Sequence, residues 1–213
     1  MNTAADEAEF APSPRPLLLL VSGPAGCGKT TLCDRMTAFF PPAVLRRVVT
    51  CTTRAPRGTE RDGHDYHFLA RDAFEREAAA GNFLEHALVH GNRYGTRRSD
   101  VLDALRAGND LLLNLDVQGA DSVRAAAAGD PVLRAALVSM FILPPSRAEL
   151  RRRLAGRGTD HPDEIERRLR VAESEMQMRW RYDYCLVSGD READFERVKA
   201  VYLAEKMRVP ARP

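Results

Sequence analysis

Apolar residues recur along this chain at two spacings, and their alternation lays out a series of elements. Leu17–Val21 is an unbroken apolar run of strand length, and Thr30–Phe40 reads as a helix stopped by Pro41-Pro42. Leu45–Thr50 predicts a second strand, after which Thr52–Gly63 is polar, arginine-rich and turn-rich. Tyr66–Leu69 predicts a strand and Asp72–Ala80 a helix closed by Gly81-Asn82. Phe83–His90 reads as a strand ending in the turn Gly91-Asn92, with Tyr94-Gly95 beyond it. A helix over Ser99–Ala107 ends at Gly108. Asp110–Leu115 follows as a strand broken only by Asn114, the pattern of a central parallel strand buried on both faces. Gln118–Ala128 is helical and Ala136–Leu143 is the next buried strand. Ser146-Arg147-Ala148-Glu149 forms a capping box that opens a helix to about Gly156. Arg157–Asp163 breaks the periodicity, Glu164–Met178 restores it, and Tyr184–Val187 and Glu192–Lys206 close the chain as strand and helix.

Strand–loop–helix units that alternate in this way predict an α/β fold, a parallel sheet flanked by helices on both faces. Two stretches interrupt the rhythm. Residues 50–97 read as a small mixed-strand insert, and residues 157–163 as a mobile loop. Both belong near the carboxyl ends of the strands, where such sheets bind ligands. Residues 1–16, small, acidic and punctuated by Pro12, Pro14 and Pro16, predict a disordered tail. The expected domain therefore spans 17–207, with a core of 17–49 and 98–207.

Composition adds exclusions. In 213 residues, 32 basic side chains face 30 acidic ones, which leaves no global footprint for a nucleic acid polymer or a membrane surface. Lys29, Lys199 and Lys206 are the only lysines. Cys27, Cys33, Cys51 and Cys185 have neither metal-ligand spacing nor the density of a disulfide framework. No apolar run approaches the ~20 residues of a membrane-spanning helix, so the expected compartment is the cytoplasm. His86 and His90, four apart in a predicted strand, do not converge on a metal.

The chemistry starts at Gly23-Pro24-Ala25-Gly26-Cys27-Gly28-Lys29-Thr30, with Thr31 next, directly after the first strand. This fits G-x-x-x-x-G-K-[ST], a loop whose backbone N–H groups wrap nucleotide phosphates. Lys29 is placed to reach the outer phosphates, the Thr30 hydroxyl to face Mg²⁺, and the following helix to aim its positive end at the charge.

Thr52-Thr53-Arg54-Ala55-Pro56-Arg57-Gly58-Thr59-Glu60 and Gly63-His64-Asp65-Tyr66-His67-Phe68 resemble the nucleoside-monophosphate signature of guanylate kinases. Gly91–Thr96, Asp116–Gly119, Pro144–Ser146 and Gly156–Thr159 agree in order and spacing, so the likeness covers about Leu17 to Met207. The resemblance implies transfer of the ATP γ-phosphoryl group to GMP, with Mg²⁺, in purine nucleotide metabolism. It implies that Arg54, Arg57, Tyr66 and Tyr94 hold the GMP phosphate, and that Glu60 organises the Arg57 loop. It assigns Glu85 and Asp116, with Thr50 and Thr96, to the guanine edge. It also gives Arg153, Arg157 and Arg168, of a lid at about 153–168, the neutralisation of transferring charge beside Lys29.

Physical chemistry supports those residue types. Two guanidinium forks and two phenols suit a dianionic phosphate. Acidic acceptors suit the ring N–H and amino donors of guanine, and would be left unpaired by adenine. Other readings of the residues alone stand beside these: Arg151–Arg153 as a solvated helix face, Tyr66 and Tyr94 as core aromatics, Glu85 as an edge residue in water. For the whole chain, a peptide-binding module on the same fold, or a kinase for another phosphorylated acceptor, are the alternatives. The sequence departs from the family pattern at Asn114, where a carboxylate is usual, at Thr50, usually Ser, and at Ser188-Gly189, where an Asn often contacts adenine.

Overall fold

The computed structural model describes residues 15–89, 91–155 and 162–209. The disordered-tail expectation for 1–16 falls mostly outside them, as do Arg157 and most of the 157–163 loop. Five parallel strands form the main sheet: β1 (Leu18–Ser22), β2 (Leu45–Arg47), β7 (Asp110–Asn114), β8 (Leu137–Leu143) and β9 (Tyr184–Val187), in the order β2-β7-β1-β8-β9. β1 is buried at every position because it lies at the centre with a parallel neighbour on each side.

Helices cover both faces. Leu32, Cys33 and Met36 of α1 (Lys29–Phe39) and Phe195, Val198 and Tyr202 of α8 (Arg191–Lys206) pack with Leu19, Val21 and Leu112. On the other face, Leu18, Leu20, Leu111 and Leu113 meet α3 (Arg98–Arg106), α4 (Val117–Gly129) and α5 (Pro131–Ala136). Alternate residues of β1 thus feed opposite cores, the two-residue period of a strand. At the amino-terminal end of the sheet, buried Asp110 accepts from the Leu17 N–H (2.9 Å), Lys206 Nζ (2.9 Å) and the Tyr202 hydroxyl (2.6 Å). That network ties the last helix to the first strand.

Residues 51–97 form a second sheet, ordered β4-β3-β6-β5, from β3 (Cys51–Thr52), β4 (His67–Phe68), β5 (Phe83–Val89) and β6 (Asn92–Arg97). β3 and β4 are parallel, and the other pairs are antiparallel. α2 (Arg71–Ala79) packs on this sheet through Phe74, fully buried and stacked on Phe83 at 4.5 Å between ring centroids. α6 (Arg147–Ala155) and α7 (Pro162–Met176) pack together through Leu150, Leu154, Leu169 and Ala172.

Several expected boundaries shift. The second strand ends at Arg47, because the chain leaves the main sheet after the Val48 N–H bonds Leu112 O and joins β6 from Cys51. β6 runs over six residues where only Tyr94-Gly95 stood out, since cross-strand pairing with β5 supplies the order its mixed composition does not advertise. α5 lies in what read as a connection. Asp130 caps it, accepting from Val132 and Leu133 N–H, and Pro131 takes the first helical position. The helix expected to reach Met178 tightens into a 3₁₀ turn over Gln177–Arg181. No helix among the described residues is long and apolar enough to cross a membrane.

Candidate active site

The loop between β1 and α1 owes its shape to its glycines. Gly23, Gly26 and Gly28 have φ of 142°, 84° and 104°, a region that strains any residue with a Cβ. A Cβ on Gly23 would also lie 2.3 Å from the Ile142 carbonyl oxygen of β8, a clash with backbone that cannot move aside. Gly28 caps α1 without a side-chain bond, so the first N–H groups of the helix face outward, a ready anion seat. Lys29 Nζ donates to Gly23 O (2.5 Å) and Pro24 O (3.0 Å), which holds the ammonium against the loop. Arg153 of α6 reaches the same loop: Nη1 donates to Cys27 O (3.3 Å) and Ser188 Oγ (3.5 Å), while Nε is braced on Glu149 (2.7 Å). Its neighbour Arg152 also pairs with Glu149, and the two guanidiniums hold that carboxyl down at about 2. Arg168 lies on α7, half-buried.

A cleft of about 630 Å³ opens between the two sheets. Thr50, Glu60, Tyr66, Glu85, Tyr94 and Asp116 line it. The remaining expected residues stand behind that wall or outside it. Thr96 is buried and donates its hydroxyl to Glu85 Oε1 at 2.6 Å. Arg54, also buried, makes a two-pronged pair with Glu60 (2.9 Å each), donates to Ala55 O (2.7 Å), and lies 5.3 Å from the Tyr66 ring centroid. Glu60 accepts the Arg57 N–H as well (2.8 Å), so one carboxylate fixes both ends of the arginine loop, while the Arg57 side chain is exposed. The Arg54 hydrogen bonds hold the Glu60 carboxyl below the usual range.

Glu85 is the buried acid of the cleft, 7% exposed on β5. Burial pushes its carboxyl up to about 7; the Thr96 hydrogen bond opposes that shift and the nearby Asp116 charge adds to it. Asp116 comes from the turn after β7 and caps α4, accepting the Gly119 N–H at 2.8 Å. Two carboxylates from different elements therefore face one pocket. Between them and the phosphate loop, Asn114 at the end of β7 donates Nδ2 to Thr30 Oγ1 at 3.3 Å.

Some of the site escapes sequence reading. Arg46 and Arg47 line the cleft, although the sequence marks Leu45–Thr50 only as a strand; two adjacent arginines in it are the available signal. Glu175 of α7 sits within the fields of Lys29 and Asp116. Burial raises its carboxyl, Lys29 opposes the shift and Asp116 adds to it. Nothing in the sequence marks Glu175, because helix periodicity does not tell which loop a helix will overhang.

Residues 14–205 match the family model described as guanylate kinase. A guanylate kinase of Alkalilimnicola ehrlichii is 45% identical over 192 residues, 90% of each chain. One of Ruegeria pomeroyi is 42% identical over 199 residues, 93% of this chain and 90% of that one. The crystal structure of guanylate kinase from Anaplasma phagocytophilum shares the fold with a TM-score of 0.66 at 32% identity, covering 92% of this chain and 88% of that one. A match over most of the chain, relatives above 40% identity and a shared fold place the chain in the guanylate kinase family.

Proposed function

We propose that this chain transfers the γ-phosphoryl group of ATP to GMP, giving ADP and GDP. The observation that carries the reading is a cleft with an anion-binding loop near one side and two converging carboxylates, Glu85 and Asp116, on the other. Guanine offers adjacent donors, a ring N–H and an exocyclic amino group, to such a pair. Adenine places an acceptor there and leaves a buried acid unpaired. Thr96 orients Glu85 by occupying Oε1, and Thr50 lines the same wall.

A GMP phosphate oxygen attacks the γ-phosphorus as the bond to the β–γ bridging oxygen breaks, and ADP leaves with that electron pair. The protein's task is alignment and neutralisation. Backbone groups of Gly23–Thr31 and Lys29 hold the donor phosphates. Arg54, Arg57, Tyr66 and Tyr94 hold the acceptor phosphate, with Glu60 fixing the arginine loop. Arg153, Arg157 and Arg168 spread charge over the moving group. Thr30 is the protein ligand for Mg²⁺. Beside it stands the amide of Asn114, a donor set that suits an ion taking most of its oxygens from phosphate and water. When bound, Mg²⁺ neutralises the outer phosphates of ATP. The substrates are two small nucleotides, with no nucleic acid polymer or membrane involved, and the enzyme is read as cytoplasmic.

Release of ADP is to be followed with GMP, AMP, UMP and ribose 5-phosphate as acceptors under MgATP. Turnover is expected with GMP, and AMP should be used at least about a hundredfold less efficiently. Absence of turnover with GMP overturns the reading.

A further inference from the structure

Nothing in the backbone requires a glycine at position 119. Gly119 lies in the first turn of α4 and is absent from the left-handed residues, so any side chain could adopt its conformation. Its N–H, which caps back to Asp116, is one that every residue except proline supplies. A helix is moreover weakened by glycine relative to alanine.

What sets the position apart is space. An ideal Cβ there would lie 3.3 Å from Asp116 Oδ1, 3.3 Å from Glu85 Oε2 and 3.4 Å from Leu115 Cβ. Gly129, at the far end of the same helix, would meet nothing within 4 Å. Neither carboxylate is free to retreat. Asp116 Oδ1 accepts the Gly119 N–H at 2.8 Å, and Glu85 Oε1 accepts the Thr96 hydroxyl at 2.6 Å.

We propose that Gly119 is a positioning residue for nucleobase selection: its bare Cα is the floor on which Glu85 and Asp116, from separate elements, converge on one edge of the base. This rests on the reading of the cleft as the GMP site. A methyl group at 119 displaces each oxygen by a few tenths of an ångström and spoils two directional hydrogen bonds together. The three atoms nearest a Cβ at 119 belong to Asp116, Glu85 and Leu115, none of them in the phosphate loop or its cations, so the effect falls on the acceptor alone.

The test compares Gly119→Ala, Gly129→Ala and the parent chain. GMP is varied at saturating ATP, ATP is varied at saturating GMP, GMP binding is measured by calorimetry, and each protein's melting temperature is recorded. Gly119→Ala should raise KM and Kd for GMP about tenfold, on the scale set by sub-ångström misplacement. Its kcat and its KM for ATP should stay within about twofold of the parent, and its melting temperature should not fall. Gly129→Ala should leave every kinetic constant unchanged. Unaltered GMP affinity in Gly119→Ala, equal losses for GMP and ATP, or a variant that unfolds would each overturn the inference. If the parent itself does not phosphorylate GMP, the reading of the cleft falls first, and a failure at that step is separable from one at Gly119.

Discussion

Glu85 holds a carboxyl group where charge is costly, and two opposite pH dependences follow. Burial raises its pKa from 4.5 to about 7. In the free protein the protonated form is favoured by folding. Its contribution, roughly 3 kcal/mol at most, is therefore complete below pH ~4.5 and is lost as pH rises through about 7. GMP binding runs the other way, since an acceptor for N–H donors must be ionised. Affinity for GMP should rise with pH up to about 7 and level off, with proton release on binding near pH 6. Calorimetry in buffers of different ionisation enthalpy measures that proton. Glu85→Gln should abolish the pH dependence and raise the GMP KM about a hundredfold while ATP is used as before. Equal losses for both substrates would remove Glu85 from the base wall. Asn114 makes a second prediction at this scale. An amide 3.3 Å from Thr30 Oγ1 supplies shape without charge, so Asn114→Asp should lower the Mg²⁺ concentration giving half-maximal rate by about three- to tenfold. An unchanged Mg²⁺ titration would show that the charge at 114 does not matter.

Among the elements, the small sheet of residues 51–97 depends on its own core. Cys51, Phe74 and Phe83 form a cluster separate from the two cores of the main sheet. Phe74→Ala should cost about 3–5 kcal/mol locally, as large core truncations do. Because α1 and the glycine loop draw on a different core, binding of an ATP analogue should survive where GMP binding is lost; calorimetric titration with each ligand distinguishes this from global unfolding. Two of the element boundaries that the chain pattern missed share a cause. β6 and the end of β2 are decided by which neighbour the backbone bonds, and pairing is a property of two strands. α5 differs, because Asp130-Pro131 is a capping signal that is legible in principle.

The whole molecule places its chemistry at one end of the main sheet and a structural lock at the other. At the amino-terminal end, Tyr202 gives Asp110 Oδ2 a 2.6 Å hydrogen bond inside the core. Tyr202→Phe leaves that acceptor with less than its complement and should lower the unfolding free energy by about 1–3 kcal/mol in denaturant titrations. Both KM values should stay put, since the carboxyl ends of the strands lie at the opposite edge. A change in either constant would mean that the two ends are coupled.

The sequence by itself determined the alternating α/β architecture, because apolar period and punctuation by glycine and proline are local properties. It also determined the phosphate loop, a contiguous motif, and through the family resemblance it named Thr50, Glu60, Tyr66, Glu85, Tyr94 and Asp116, which line one cleft. Only the tertiary structure decided how those residues meet. It pairs Arg54 with Glu60, sets Thr96 behind Glu85, brings Asn114 to Thr30, and adds Arg46, Arg47 and Glu175 to the surroundings. Apart from Arg54 and Glu60, six residues apart in one loop, these partners lie far apart along the chain or on elements whose relative placement depends on packing. The glycine loop shows the division most plainly: its eight residues specify an anion seat, and the fold alone decides that two carboxylates wait across the cleft from it.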